Sequence, residues 1–282
     1  MNQFTEITQT TGADVTAPLT FIVPQDEKPK FHSQAFTGGA VEFFFDTDQQ
    51  PVAIADLRPN ADAFTLDSAG FAFRHAPTEV RDLYDDDSVE GAYFAEIEDM
   101  LKREYGASQV AIFDATRRSD GGAGAANKDG NRGPASRIHV DYTAKSGPRR
   151  ARDAIGPDAY DRLVAKGARI VQVNVWRPII GPVQRSPLAL ADATSVAPED
   201  LIATDQVFPD RVGEIYHLAY NPVQRWYFAP EMTGDEVLLI KGWDSLDDGH
   251  ARFTPHTAFP LPDQDGAPAR ESIEVRTFVV IE

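Results

Sequence analysis

Apolar residues in this chain recur mostly at every second position, in short runs closed by proline, glycine or asparagine. That period belongs to β-strands, where successive side chains point to opposite faces. The clearest case is 169–177. Val171, Val173 and Val175 form an aliphatic face, and Gln172, Asn174 and Trp176 form a mixed polar and aromatic one, with Pro178 expected to end the strand. Strands are also predicted over 19–24, 41–46, 51–56, 71–74, 109–114, 214–220, 225–228, 236–241 and 272–281, with a turn across 46–50.

The period changes twice. Tyr93, Ile97, Met100 and Leu101 recur at helical spacing, which predicts a helix over 89–105, capped by Ser88 and stopped by Gly106. A second helical stretch covers 147–167 and is interrupted near Gly156-Pro157. Residues 1–17 read as a loose polar arm, and 181–211 as mostly loop with a short apolar segment at 187–190. The glycine-rich stretch 117–134 reads as a mobile loop, a lid that orders on substrate rather than a phosphate cradle.

Many short strands with a few helices predict a mainly β fold with flanking helices, a double-stranded β-helix (jelly roll, cupin-like). No internal repeat or linker divides the chain. We read 1–282 as one catalytic domain with an N-terminal extension over about 1–80.

Composition narrows the function. The net charge of −17 excludes nucleic acid as the expected partner, because phosphate binding needs clustered Lys and Arg. The absence of cysteine removes disulfides, thiolate zinc sites and cysteine nucleophiles. No apolar stretch approaches the ~18 residues a membrane helix needs. The first residues lack a basic region followed by an apolar run, so no signal peptide is read and a cytoplasmic protein is expected. Nothing in the pattern sets an oligomeric state.

The chemistry concentrates at 137–142, where His139 and Asp141 stand two residues apart. On a strand they project to one face. With one distant histidine they make the two-histidine, one-carboxylate facial triad of non-haem Fe(II) sites. His256 is the best third ligand, read as lying between two strands; His217 sits in an apolar strand and reads as a hydrogen-bonded core histidine. Arg270 follows His256 by fourteen residues, with Ser272 and Arg276 on the same strand face. An arginine fork there suits the far carboxylate of a dicarboxylate cosubstrate. Pairing of both arginines with Glu271 and Glu274 on a surface strand accounts for the pattern equally well.

Six stretches, at 139–143, 174–178, 187–190, 225–228, 255–259 and 270–276, taken together resemble the Fe(II)- and 2-oxoglutarate-dependent dioxygenases. Within that superfamily they are most similar to the family of cephamycin C-7 methoxylation components, gibberellin desaturase and fungal hydroxylase/desaturases. The resemblance covers roughly 90–282 and is less clear over the first 80 residues. It implies Fe(II), 2-oxoglutarate and O2, and hydroxylation, desaturation or related C–H oxidation of a small molecule of secondary metabolism. It implies His139, Asp141 and His256 as iron ligands, Arg270 with Ser272 at the cosubstrate carboxylate, and Arg276 as rival or helper. Tyr142, Asn174, Trp176 and Arg177 are then pocket-wall candidates, although Trp176 suits core packing equally and Arg177 suits a strand-end anchor. Two alternatives stay open: a cupin-like metalloenzyme without 2-oxoglutarate (an isomerase or hydrolase), and a catalytically silent jelly-roll binding protein. Arg270 with Ser272 speaks against the first, and the complete ligand set against the second.

Overall fold

A computed structural model describes residues 14–128, 130–262 and 264–282. The strands in chain order are β1 (Val15–Ile22), β2 (Lys30–His32), β3 (Glu42–Phe43), β4 (Thr47–Asp56), β5 (Phe71–His75), β6 (Gln109–Ser119), β7 (His139–Val140) and β8 (Arg169–Ile180). They continue with β9 (Leu188–Ala191), β10 (Leu201–Val207), β11 (Val212–Leu218), β12 (Trp226–Phe228), β13 (Glu236–Asp244), β14 (His256–Ala258) and β15 (Glu271–Ile281). The helices are α1 (Gln34–Thr37), α2 (Asp86–Ser88), α3 (Phe94–Tyr105), α4 (Ser146–Ile155) and α5 (Pro157–Ala165).

Two sheets form. The smaller runs β5-β13-β8-β15-β6, and the larger runs β1-β4-β12-β9-β14-β7-β11-β10-β2-β3. Single bridges join Thr20 to Arg137 and Ile22 to Ala219, so β1 returns to the middle of the larger sheet and that sheet curls. Leu19, Phe21, Ile54, Ile138, Trp226 and Phe228 pack within the curl. The stretch read as an N-terminal extension supplies β1 to β5.

Alternation on the small sheet decides what faces what. Val173 and Val175 of β8, with Ile273 and Val275 of β15, face Tyr93, Ile97, Met100 and Leu101 around α3. Burying such an aliphatic set is the dominant favourable term here, at about 1.5–3 kcal/mol per large side chain. The other face carries Gln172, Asn174 and Trp176 opposite Phe278, Arg276 and Glu274. At its far end Phe278 and Val280 pack with Ala151 of α4 and Leu163 of α5. The polar stretch of the small sheet is thereby walled by apolar packing at one end.

Several expectations need correction. No turn covers 46–50. Thr47 already pairs with Ile22, and β4 runs through Pro51, which lies opposite Pro18. Proline is tolerated there because β12 joins β4 only from Ile54 onward, so its missing N–H faces no partner strand. Likewise Pro178 does not end β8. Pairing with β13 stops at Trp176, while β15 continues alongside to Ile180. Residues 15–17 belong to β1; the rest of the expected polar arm, 1–13, lies outside the described residues. A strand, β10, occupies part of the expected loop 181–211 and pairs with β11.

The helix start also differs. Asp85, not Ser88, is the cap, and its carboxylate accepts from the Ser88 N–H at 2.9 Å. A π-helical turn at Val89–Tyr93 then leads into α3, which Gly106 ends in the left-handed region (φ 62°). The break between α4 and α5 falls at Gly156, as expected.

The glycine-rich stretch is more ordered than predicted. β6 extends to Ser119 and takes Arg117 and Arg118 out of the loop. Beyond it, Ala125 bridges to Arg132. The Asn127 amide accepts from the Arg117 N–H at 2.7 Å and donates to the Arg117 carbonyl at 2.9 Å.

Candidate functional site

β7 is two residues long and lies between β14 and β11 in the larger sheet. His139 is directly opposite His256 in register, and their rings are 4.5 Å apart. Each Nδ1 lies near a backbone carbonyl, Arg137 O at 2.9 Å for His139 and Thr254 O at 3.0 Å for His256. A carbonyl only accepts, so Nδ1 of each ring donates and Nε2 is the nitrogen left to ligate. Asp141 lies just past β7, its Oδ1 3.6 Å from His139 Nε2. One ligand atom from each of the three residues lies within 4.8 Å of the others. The strand expected to present His139 and Asp141 thus ends before Asp141, yet brings the two together. His256 lies on a strand, not between two.

Charge states suit a divalent metal. Burial depresses His139 to about 4, with His256 nearby adding to it, so the ring is neutral near pH 7. Burial opposes the Asp141 charge, but Arg276, the two histidines and Asn174 outweigh it and hold the carboxyl well below its usual range. Two imidazole nitrogens and one carboxylate oxygen, with no thiolate, fit Fe(II). His139 and Asp141 have side chains 15% and 13% exposed, whereas His256 is 3% exposed. The centre is therefore approached from the His139 side.

Asp141 is held from the small sheet. Asn174 Nδ2 donates to its Oδ2 at 2.7 Å, and Gln172 Nε2 donates to Asn174 Oδ1 at 2.6 Å. Arg276 reaches Asp141 at 3.2 Å, Asp114 at 2.6 Å and Glu274 at 2.5 Å. Three carboxylates surround this one guanidinium.

Arg270 has no such company. It is 2% exposed; Nη1 donates to Ser186 O at 2.8 Å, while Nε and Nη2 have no partner. Its guanidinium lies 5.8 Å from the Trp176 ring. Burial lowers its pKa to about 10, and Arg118 adds to this. Two buried donors without acceptors are costly unless an anion fills the space. Ser272 is 1% exposed and sits opposite Arg118 in register. The reading in which both arginines pair with Glu271 and Glu274 on a surface strand therefore fails for Arg270, whereas Arg276 does pair with Glu274, in the interior. Arg118 lies within the stretch 117–134 that reads as loop, and only its pairing with β15, which no local pattern shows, places it beside Ser272.

The remaining pocket candidates divide. Asn174 belongs to the Asp141 network. Trp176 is 2% exposed and packs with Leu188 and Leu190. Tyr142 packs near Phe278, and burial pushes its phenol up to about 12. Arg177 is a correction. It projects from the opposite face of β8, where Nε donates to Tyr93 Oη at 2.8 Å and Nη2 to Ala76 O at 2.6 Å. It anchors the strand end against α3 and does not line the site. His217 is 4% exposed with Nδ1 3.1 Å from Thr204 Oγ1, as expected of a core histidine. Two clefts open elsewhere, about 380 Å³ beside Tyr93 and Arg177 and about 350 Å³ beside Phe94 and Asn127; neither is lined by a residue of the triad.

A family model described as an oxidoreductase/YMDC permease-like domain matches residues 19–280. The chain is 34% identical over 267 residues to the hydroxylase/desaturase efuI of Hormonema carpetanum, covering 86% of this chain and 87% of that protein. It is 32% identical over 251 residues to the Fe(II)/2-oxoglutarate-dependent dioxygenase nvfI of Aspergillus novofumigatus, covering 86% and 87%. A solved structure of the iron and alpha-ketoglutarate-dependent endoperoxidase NvfI superposes with a TM-score of 0.82 at 29% identity, covering 94% of this chain and 97% of that one.

Proposed function

The chain belongs to the Fe(II)/2-oxoglutarate-dependent dioxygenases of the hydroxylase/desaturase kind, and from that premise we propose how its residues divide the work. The enzyme is an oxidoreductase that performs hydroxylation, desaturation or related C–H oxidation on a small molecule of secondary metabolism. His139, Asp141 and His256 hold Fe(II). The observation that carries this is the convergence of one ligand atom from each of His139, Asp141 and His256 within 4.8 Å of one another. Bound there, Fe(II) with 2-oxoglutarate and O2 supplies the oxidising chemistry.

The protein's share is placement. Arg270, with Ser272 beside it, takes the far carboxylate of 2-oxoglutarate, because its two buried donors lack acceptors. Arg276 is engaged by carboxylates already and acts as the brace that orients Asp141. Asn174 and Gln172 complete that brace, and Trp176 packs under Arg270. Tyr142 closes the wall behind Asp141.

The same reading takes the chain as one catalytic domain acting in the cytoplasm, without nucleic-acid or membrane partners. The net charge of −17 supports the former exclusion. No helix among the described residues is long and apolar enough to cross a membrane.

The test is anaerobic addition of 2-oxoglutarate to the Fe(II) protein. A weak visible charge-transfer band is expected, followed by succinate formation on admission of O2. Absence of the band at saturating 2-oxoglutarate would reject the assignment.

A further inference from the structure

One strand beyond the metal centre, the larger sheet carries a run of rings. His217 lies directly opposite His139 in register on β11. Around His217 stand Phe45, with ring centroids 4.9 Å away, and Phe31, 5.9 Å away. Phe43 stacks on Phe31 at 5.4 Å and meets Phe45 edge-on at 5.4 Å. The guanidinium of Arg137 lies over the Phe43 ring, 3.6 Å from its centroid. Phe43, Phe45 and Arg137 are partly exposed, as are His139 and Asp141, and His139 and Arg137 both act on the His217 ring.

Arg137, like Arg270, stands near the centre without an acid partner. No carboxylate pairs with it among the described residues; only burial acts on its charge, and its Nε is buried without a partner. The Phe43 contact uses the face of the guanidinium and leaves its in-plane N–H edge for an acceptor. In a chain of net charge −17, an arginine left without an acid next to a reaction centre needs an explanation. A planar carboxylate is the acceptor that matches the fork with two parallel bonds.

We propose that Arg137, with Phe43 and Phe45 and with the buried Phe31 behind them, is the substrate-recognition wall of this enzyme, and that the substrate is a small molecule with an apolar, ring-bearing body and one carboxylate. The ring body packs against the exposed parts of Phe43 and Phe45, and the carboxylate meets the Arg137 edge. The C–H bond to be oxidised then lies on the His139 side of the centre. This rests on the iron and 2-oxoglutarate reading above and adds the substrate class. It also gives residues 31–45, outside the stretches that carried the family resemblance, a role in specificity.

The test uses 3-phenylpropionate and 2-naphthoate against their amides. Binding is measured by calorimetry on anaerobic Fe(II) protein with saturating 2-oxoglutarate, which fills the Arg270 site. The acids should bind about tenfold or more tighter than the amides, the worth of one charged bidentate contact. Arg137→Gln should bring that ratio to about one. Arg137→Lys keeps the charge without the fork and should leave an intermediate ratio. Phe43→Leu should weaken acid and amide alike. An acid-to-amide ratio near one in the parent protein, a ratio preserved in Arg137→Gln, or no binding of either acid overturns the proposal. The charge-transfer band, recorded on the same samples, separates the two readings. Its absence in the parent protein sinks the iron and cosubstrate assignment, whereas its presence without an acid preference sinks only the role of Arg137.

Discussion

His139 and His256 face each other in direct register across β7 and β14, ring to ring at 4.5 Å, each with Nδ1 tied to the carbonyl two residues earlier, just before its strand begins. Both Nε2 atoms are thereby fixed toward the same point before any metal arrives. One Fe(II) per chain is expected by metal analysis. His139→Ala or His256→Ala should weaken binding by more than about 100-fold, beyond the 10–100-fold that outer partners of a ligand typically supply. Full occupancy in either variant would reject the triad.

Gly242 tests the support behind Asp141. A Cβ built there would overlap Gln172 Oε1. Gln172 is fully buried and donates to Asn174, which in turn donates to Asp141. Gly242→Ala must turn Gln172 away and release Asn174. Iron affinity should fall by roughly tenfold, the lower end for an outer partner. A variant that loses thermal stability but keeps its iron affinity would show that this chain of amides does not orient the ligand.

How far the sequence could be read follows from the range of each signal. The two faces of β8 and the face shared by Arg270, Ser272 and Arg276 are local alternations, so they were visible. His139 with Asp141 is likewise local. What was hidden depends on pairing. β4 starts in the polar residues 47–50 because β1 pairs with them. Pro178 continues a strand because β15 runs alongside. Arg118 reaches the site because it lies opposite Ser272. The ring contacts among Phe31, Phe43, Phe45 and His217 join positions nearly two hundred residues apart, and no period in the chain connects them.

His217 carries a pH dependence of stability. Burial, with His139 and Arg137 adding to it, lowers its pKa from 6.5 to about 3. A depressed histidine binds fewer protons folded than unfolded between these values. Its contribution is complete above pH 6.5 and declines as pH falls toward 3. In metal-free protein, denaturant titrations from pH 7 to pH 4 should show a loss on the order of 3 kcal/mol from this residue. His217→Gln should be less stable at pH 7 and lose correspondingly less on acidification. Parallel pH profiles for the two proteins would contradict the buried neutral ring.

The two arginines on β15 should separate cleanly. Arg270 has two buried donors without acceptors, whereas Arg276 is within 3.2 Å of three different carboxylates. A further dianion at Arg276 would meet a guanidinium already matched and three negative charges around it. At Arg270 it would satisfy donors that otherwise remain orphaned in the interior. Losing a charged bidentate contact costs roughly 2–4 kcal/mol, or about 30- to 1000-fold in affinity. Arg270→Ala should therefore raise the 2-oxoglutarate needed for the charge-transfer band by that factor and leave iron binding close to the parent value. Arg276→Gln should do the opposite. With Asp141, Asp114 and Glu274 left facing one another, the Asp141 carboxyl should no longer be held so low, and iron affinity should drop by about 10–100-fold with a steeper loss at acid pH. Titrating Fe(II) and 2-oxoglutarate separately in both variants decides it. The reverse order, with Arg276→Gln losing 2-oxoglutarate and Arg270→Ala losing iron, would exchange the two roles.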